Sequence, residues 1–157
     1  MSHPTPRIHV APCDVGRGLF ADEPIAAGRF ILEFTGPELT LKQVRAKGAL
    51  AANALQIGID RYLDLEEPGR LLNHSCEPNA GVRNGTRLVA LRDIQPGEEI
   101  RFDYSTTVSD GWTMPCRCGA PHCRGLVVAY QLLAAPLRQR YAILGIVQPF
   151  ILEGVGS

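Results

Sequence analysis

Apolar positions along this chain come in short bursts rather than long periodic stretches, and a glycine or proline interrupts them at close intervals. Arg7 to Val10 and Leu19 to Ala21 read as strands on either side of an Asp14-Val-Gly-Arg-Gly18 turn. Arg29 to Phe34 is a strand-like run stopped by Gly36-Pro37. Leu55 to Ile59 and Tyr62 to Leu65 are separated by Asp60-Arg61, which predicts a tight hairpin. Val82-Arg83 and Thr86 to Leu91 predict a second, with Asn84-Gly85 as its turn. Glu99 to Tyr104 follows the Gln95-Pro-Gly97 turn as a further strand.

Helical signals are fewer. Leu39 to Leu50 is a candidate, with Thr40 as cap and Leu41, Val44 and Leu50 apolar. After Pro136, the residues Leu137, Tyr141 and Leu144 fall on one face, and Gly145 stops the run. Many short strands, one early helix and a helical tail predict a mostly β, α+β domain.

Composition changes this picture little. The chain has 157 residues, is 45% hydrophobic and 20% charged, and suits one domain, or one domain with an appendage. Charge is more informative: 16 basic residues balance 16 acidic ones. Proteins that hold nucleic acid by neutralising phosphates show a basic surplus, so no direct nucleic-acid partner is expected. Met1 to Pro6 has no signal-peptide pattern, and the apolar run Leu126 to Leu137 is too short to span a bilayer. The expected setting is the reducing cytosol, away from membranes.

That setting bears on the cysteines. Cys116, Cys118 and Cys123 follow a Cys-x-Cys-x4-Cys pattern in a segment that also holds Pro115, Gly119 and Pro121. Three thiolates on a bending loop suit tetrahedral zinc better than a chance cluster of free thiols. His122, Cys76 and Cys13 are candidates for the fourth ligand. Adjacency to Cys123 strains chelation by His122, and Cys13 reads as a small apolar residue in a strand. Cys76 is the best choice, because a ligand distant in sequence would pin the loop to the domain body.

Four segments, in this order, resemble the SET-domain methyltransferases with a post-SET zinc motif, of the compact bacterial type. They are Gly16-Arg-Gly-Leu-Phe-Ala21, Arg70-Leu-Leu-Asn-His-Ser-Cys-Glu-Pro-Asn79, Gly97-Glu-Glu-Ile-Arg-Phe-Asp-Tyr104 and Cys116-Arg-Cys-Gly-Ala-Pro-His-Cys123. The resemblance implies a fold of short twisted sheets with a knot-like threading of its C-terminal part. It divides the chain into a SET domain at 7–110, a zinc loop at 111–125 and a helical extension at 126–157 that packs on the body.

It also implies S-adenosylmethionine as methyl donor and a lysine side chain of a protein, a histone or another basic protein, as acceptor. Arg17, Gly18 and Leu19 would lie against the donor's amino-acid part. Asn73 and His74 would receive its methionine and adenine ends. Tyr104 would be the catalytic tyrosine, and Phe102, two residues earlier on the same face, would leave room for more than one methyl group. A SET-like module that binds protein without turnover is the alternative. Two differences stand out: Leu65-Glu-Glu-Pro-Gly69 is short and brings no aromatic to the lysine channel, and Glu33-Phe34 replaces a common Glu-Tyr. Asp60, Asp64, Glu66, Glu67, Glu98, Glu99 and Asp103 lie near these motifs and are expected to be mostly solvated, drawing a basic peptide being the other use.

Overall fold

The computed structural model describes residues 5–155; Met1 to Pro4, which belong to the stretch read for a leader, and the last residues of the extension lie outside the described residues. The chain opens with an antiparallel hairpin, β1 (Ile8–Cys13) and β2 (Gly16–Ala21), in register from Ile8↔Ala21 to Cys13↔Gly16. The expected five-residue turn is therefore only Asp14-Val15, and pairing runs through Gly16 and Gly18. Beyond it come β3 (Phe30–Glu33), β4 (Glu38–Leu39), helix α1 (Leu41–Arg45), β5 (Ala54–Gly58), β6 (Arg61–Asp64) and β7 (Asn73–His74). Then come β8 (Ala80–Arg83), β9 (Arg87–Ala90), β10 (Glu99–Phe102), β11 (Met114–Pro115) and β12 (Leu126–Val127), and helices α2 (Ala135–Leu144) and α3 (Pro149–Val155).

These strands make small sheets, ordered β1-β2-β10-β7, β3-β9-β8, β4-β6-β5 and β11-β12. One core joins the first three, through Leu19, Ile31, Leu55, Leu88, Ile100 and Phe102 among others. A second apolar cluster, including Tyr130, Tyr141, Ile146 and Ile151, belongs to the tail. Decisive for the site is β10, which inserts between β2 and β7 and runs parallel to β7. Strands from opposite ends of the SET-like region thereby become neighbours.

Several expectations shift by a few residues. The hairpin of β5 and β6 turns at Ile59-Asp60, with Asp60 at φ +55°, instead of at Asp60-Arg61. Pairing of Arg83 with Arg87 makes the second hairpin loop Asn84-Gly85-Thr86, one residue longer than the expected turn. The early helix has the expected cap, Thr40, in a capping box with Gln43, but it ends at Arg45. Gly48, at φ +61°, redirects the backbone into a 3-10 turn over Gly48–Asn53. By contrast α2 keeps both its signals: Pro136 lies in the first turn and Gly145 caps the end at φ +72°. Among the described residues, no helix is long and apolar enough to cross a membrane.

Candidate active site and metal centre

Phe102 pairs with His74 and Arg101 with Asn73, so the Asn-His dipeptide sits beside the end of β10. There the strand stops. Asp103 caps a 3-10 turn over Tyr104–Thr107 by accepting the Ser105 N–H at 3.0 Å. Tyr104 therefore leaves the sheet line, yet its ring stays 4.9 Å from that of Phe102 and 5.3 Å from that of His74. Its hydroxyl donates to the Leu72 carbonyl. Burial raises its pKa above the usual phenol value, with the Glu99 carboxylate adding to the shift. A phenol whose proton is committed to a carbonyl offers its oxygen lone pairs to whatever enters beside it.

His74 is almost wholly buried, which pushes its pKa down to about 4 although Asp103 opposes the shift. Its Nδ1 accepts the Tyr104 N–H at 3.0 Å, so the ring's proton must sit on Nε2, 3.4 Å from Cys76 Sγ. Asn73 Nδ2 donates to the Arg17 carbonyl at 3.0 Å and to Glu99 Oε2 at 2.8 Å, and touches Cys13 Sγ at 3.4 Å. Its Oδ1 has no hydrogen-bond partner among the described residues. A Cβ on Gly18 would stand 2.5 Å from Glu99 Oε2 and 3.1 Å from Asn73 Nδ2, so any larger residue here would push these side-chain ends aside. β10 pairs with β2 only as far as Leu19, a core residue, which leaves Arg17 and Gly18 off that ladder. An open amide oxygen beside a carboxylate and a free strand edge suit the ammonium end of an amino-acid-like ligand.

Phe102 and Tyr104 also line a mainly apolar cleft of ≈ 350 Å³. Residues of α1, β5, β6 and the 107–112 linker make its walls, Leu41, Val44, Leu55, Tyr62, Val108 and Trp112 among them. The short Leu65–Gly69 segment brings no aromatic, as its sequence states, and the aromatic lining comes instead from Tyr62 and Trp112. Of the acidic residues around these motifs Asp103 is fully buried, while the other six keep contact with solvent as expected and also hold partners, Glu67 pairing with both Arg17 and Arg70.

On the far side of His74 lie the thiols. Cys76 Sγ is 3.7 Å from Cys116 Sγ, and Cys123 Sγ is 3.6 Å from Cys116 Sγ. The edge of a zinc tetrathiolate with bonds of about 2.3 Å is about 3.8 Å, so these spacings fit one tetrahedral ion. His74, Cys76, Cys116 and Cys118 bring one ring nitrogen and three thiols within 4.8 Å of one another, a donor set that holds His74 in place of Cys123. The tautomer decides between them. An imidazole whose Nδ1 accepts a backbone N–H carries its proton on Nε2 and has no lone pair there for a metal, but it can donate to a metal-bound thiolate. Burial would raise the Cys118 thiol, yet the N–H groups of Cys76 and Ala120 and the neighbouring thiols bring it down to about 6. His122 faces solvent and pairs with Glu77 at 2.8 Å, and Cys13 lies beside Asn73 instead of the cluster.

Compared with known protein families, residues 16–105 match the SET domain, more than half of the chain. This chain belongs to the SET-domain family. The Drosophila melanogaster histone-lysine N-methyltransferase ash1 is 35% identical over 143 residues, covering 79% of this chain and 6% of the relative. An H3 lysine-4 specific histone-lysine N-methyltransferase of Kluyveromyces lactis is 33% identical over 129 residues, 70% of this chain and 13% of its own. An H3 lysine-36 specific one of Candida albicans is 35% identical over 125 residues, 69% and 15%. The chain thus spans a small fraction of the length of these curated relatives.

Around the SET domain's motif residues stand partners that sequence reasoning missed. Asn79 stitches the motif to β10, donating to the Glu99 carbonyl at 2.8 Å and accepting the Arg101 N–H at 2.9 Å. Arg101 reaches the Cys118 carbonyl at 3.0 Å. Arg124 grips both oxygens of Asp103 at 2.9 Å, and Tyr141 donates to the same carboxylate at 2.8 Å. Its position between two aromatic residues, Phe102 and Tyr104, was the available signal for Asp103, since an acid buried there needs partners. Nothing in the sequence identified Arg124 or Tyr141 as those partners.

Proposed function

We propose that this SET domain transfers methyl groups from S-adenosylmethionine to a lysine side chain of a protein. The observation that carries the reading is the convergence of two unlike surfaces on Tyr104. On one side is the polar edge of Arg17, Gly18, Asn73 and Glu99; on the other is the apolar cleft that Phe102 and Tyr104 line. When bound, S-adenosylmethionine supplies a sulfonium methyl group, which the neutral amine takes with the S–C electron pair remaining on sulfur. The chain's own residues prepare that amine. A lysine has a reference pKa of about 10.4, and the apolar walls favour its neutral form by desolvation, the lost proton going to water. Tyr104 then orients the amine through its oxygen lone pairs, and Phe102, having no hydroxyl, leaves space for an amine that already carries methyl groups. No side chain needs to act as base once the amine is aligned.

The metal in this reading is zinc, held by Cys76, Cys116, Cys118 and Cys123, with His74 donating to Cys76. It fastens the loop after β11 to the strand that carries Asn73 and His74.

Titration calorimetry with S-adenosylmethionine, followed by incubation of labelled donor with a cell lysate, tests the proposal. Binding together with label on lysine defines the enzyme. Binding without any label identifies a module without turnover and overturns the reading, as does failure to bind.

A further inference from the structure

If the cleft is the lysine channel of a methyltransferase, the charges around it bear on which peptide it takes. Three charged side chains line the cleft: Arg45, Arg70 and Asp110. Two of them are already engaged. Asp110 accepts the Tyr62 hydroxyl and the Trp112 N–H, each at 2.8 Å. Arg70 donates to Glu67 Oε1 at 2.6 Å. Arg45, exposed at the end of α1, has a guanidinium with neither ion pair nor hydrogen bond among the described residues. It lies close enough to Tyr62 for its charge to act on that phenol.

Every carboxylate in residues 37–72 is engaged too. Glu38 pairs with Arg61 at 2.8 Å and Asp64 with Lys47 at 2.7 Å. Glu67 holds Arg17 and Arg70, Glu66 accepts the Thr35 hydroxyl at 2.9 Å, and Asp60 accepts the Leu41 N–H at 2.8 Å. Glu38, Asp64 and Glu67 are thus offset by cations of the chain itself, Asp60, Glu66 and Asp110 are met by neutral donors, and along α1 a strongly basic peptide would meet the unpaired charge of Arg45. The Kluyveromyces and Candida relatives are specific for lysines of histone H3 by name; the charges of this cleft suit a different neighbourhood.

We infer, resting on the methyltransferase reading, that the cleft takes a target lysine set among apolar residues with a carboxylate close by, and that Arg45 is the specificity-determining residue that receives it. The apolar neighbours would lie against Leu41, Val44 and Leu55, and the acid would meet the guanidinium at the exposed end of α1.

Fluorescein-labelled peptides with one central lysine and apolar neighbours test this, each flanking position carrying Glu, Gln or Lys in turn. Dissociation constants come from anisotropy and kcat/KM from labelled donor, for the wild type and for Arg45→Glu. At one flanking position the Glu peptide is expected to lead the Lys peptide by roughly tenfold, since an ion pair replaces a like-charge contact. Arg45→Glu is expected to invert that order. Tighter binding of Lys-flanked peptides to the wild type, no preference at any position, or a preference unchanged in Arg45→Glu overturns the inference. Because binding is read separately, the expected order of affinities without transfer overturns the methyltransferase reading and leaves the charge preference standing.

Discussion

Tyr104 acts, in this reading, with its oxygen rather than its proton. The hydroxyl hydrogen is committed to the Leu72 carbonyl, and burial holds the phenol pKa above its ordinary value of about 10. The sign is the useful part: a raised pKa keeps the neutral phenol at higher pH. Raising the pH therefore turns substrate ammonium into amine without removing the group that orients it. Single-turnover rates with saturating peptide should climb from about pH 7 to about pH 10, with no decline due to Tyr104. A downturn within that range, with the circular dichroism unchanged, would refute the role. Tyr104→Phe keeps the ring packing on Phe102 and His74 and should cost about 100-fold or more in kcat, with donor affinity and bound metal retained. Phe102→Tyr would place a second hydroxyl in the cleft; mass spectrometry after exhaustive turnover should find the products of the wild type cut back to monomethyl-lysine.

Elements with marks at both ends were legible from the sequence, and those held only by tertiary contact were not. Pro136 and Gly145 bracket α2, and it runs as expected. β7, β11 and β12 have two residues each, too few to show any period, and exist because neighbours pair with them. The glycine turn, the Asn-His pair and Tyr104 stood out as motifs, but no spacing states that β10 lies between β2 and β7. The metal loop shows the same division. Three of its thiols were visible as a cluster and Cys76 as the best of three candidates for the fourth place, but what seats Cys76 beside them is β7. Apart from two-residue strands and a few side-chain contacts, this loop has little to hold it, so the metal should carry its order. Elemental analysis should find one zinc per chain. Cys123→Ser should lower the metal content and the melting temperature, and Cys13→Ser and His122→Ala should change neither. Chelator should melt the wild type earlier and leave the melting temperature of metal-free Cys123→Ser unmoved. Full metal content in Cys123→Ser would instead assign the fourth position to His74.

At the scale of the molecule, the segment beyond the SET match reaches back to both walls of the site. Tyr141 of α2 donates to Asp103, the residue between Phe102 and Tyr104. Gln148, fully buried, donates from Nε2 to the Gln56 carbonyl at 2.8 Å and the Gly85 carbonyl at 2.9 Å, and Gln56 lines the cleft. Asp103 has no contact with solvent and depends on Arg124, Tyr141 and Ser105 for its partners. Removing one partner of such a buried pair is costly: Arg124→Ala should lose about 3–5 kcal/mol of stability. The milder Tyr141→Phe, losing one hydrogen bond to a charged acceptor, should lose about 1.5–3 kcal/mol. Stability alone would not separate a positioning role from simple packing, but kinetics well below the melting temperature would. If α2 only covers apolar surface, Tyr141→Phe melts earlier and turns over normally. If it fixes Asp103, and through it the turn that carries Tyr104, kcat should fall by about tenfold while the KM for peptide stays close to that of the wild type. Tyr141→Leu, which is apolar but lacks the ring as well, should lose more stability for a similar loss of kcat, because both variants lack the same hydroxyl.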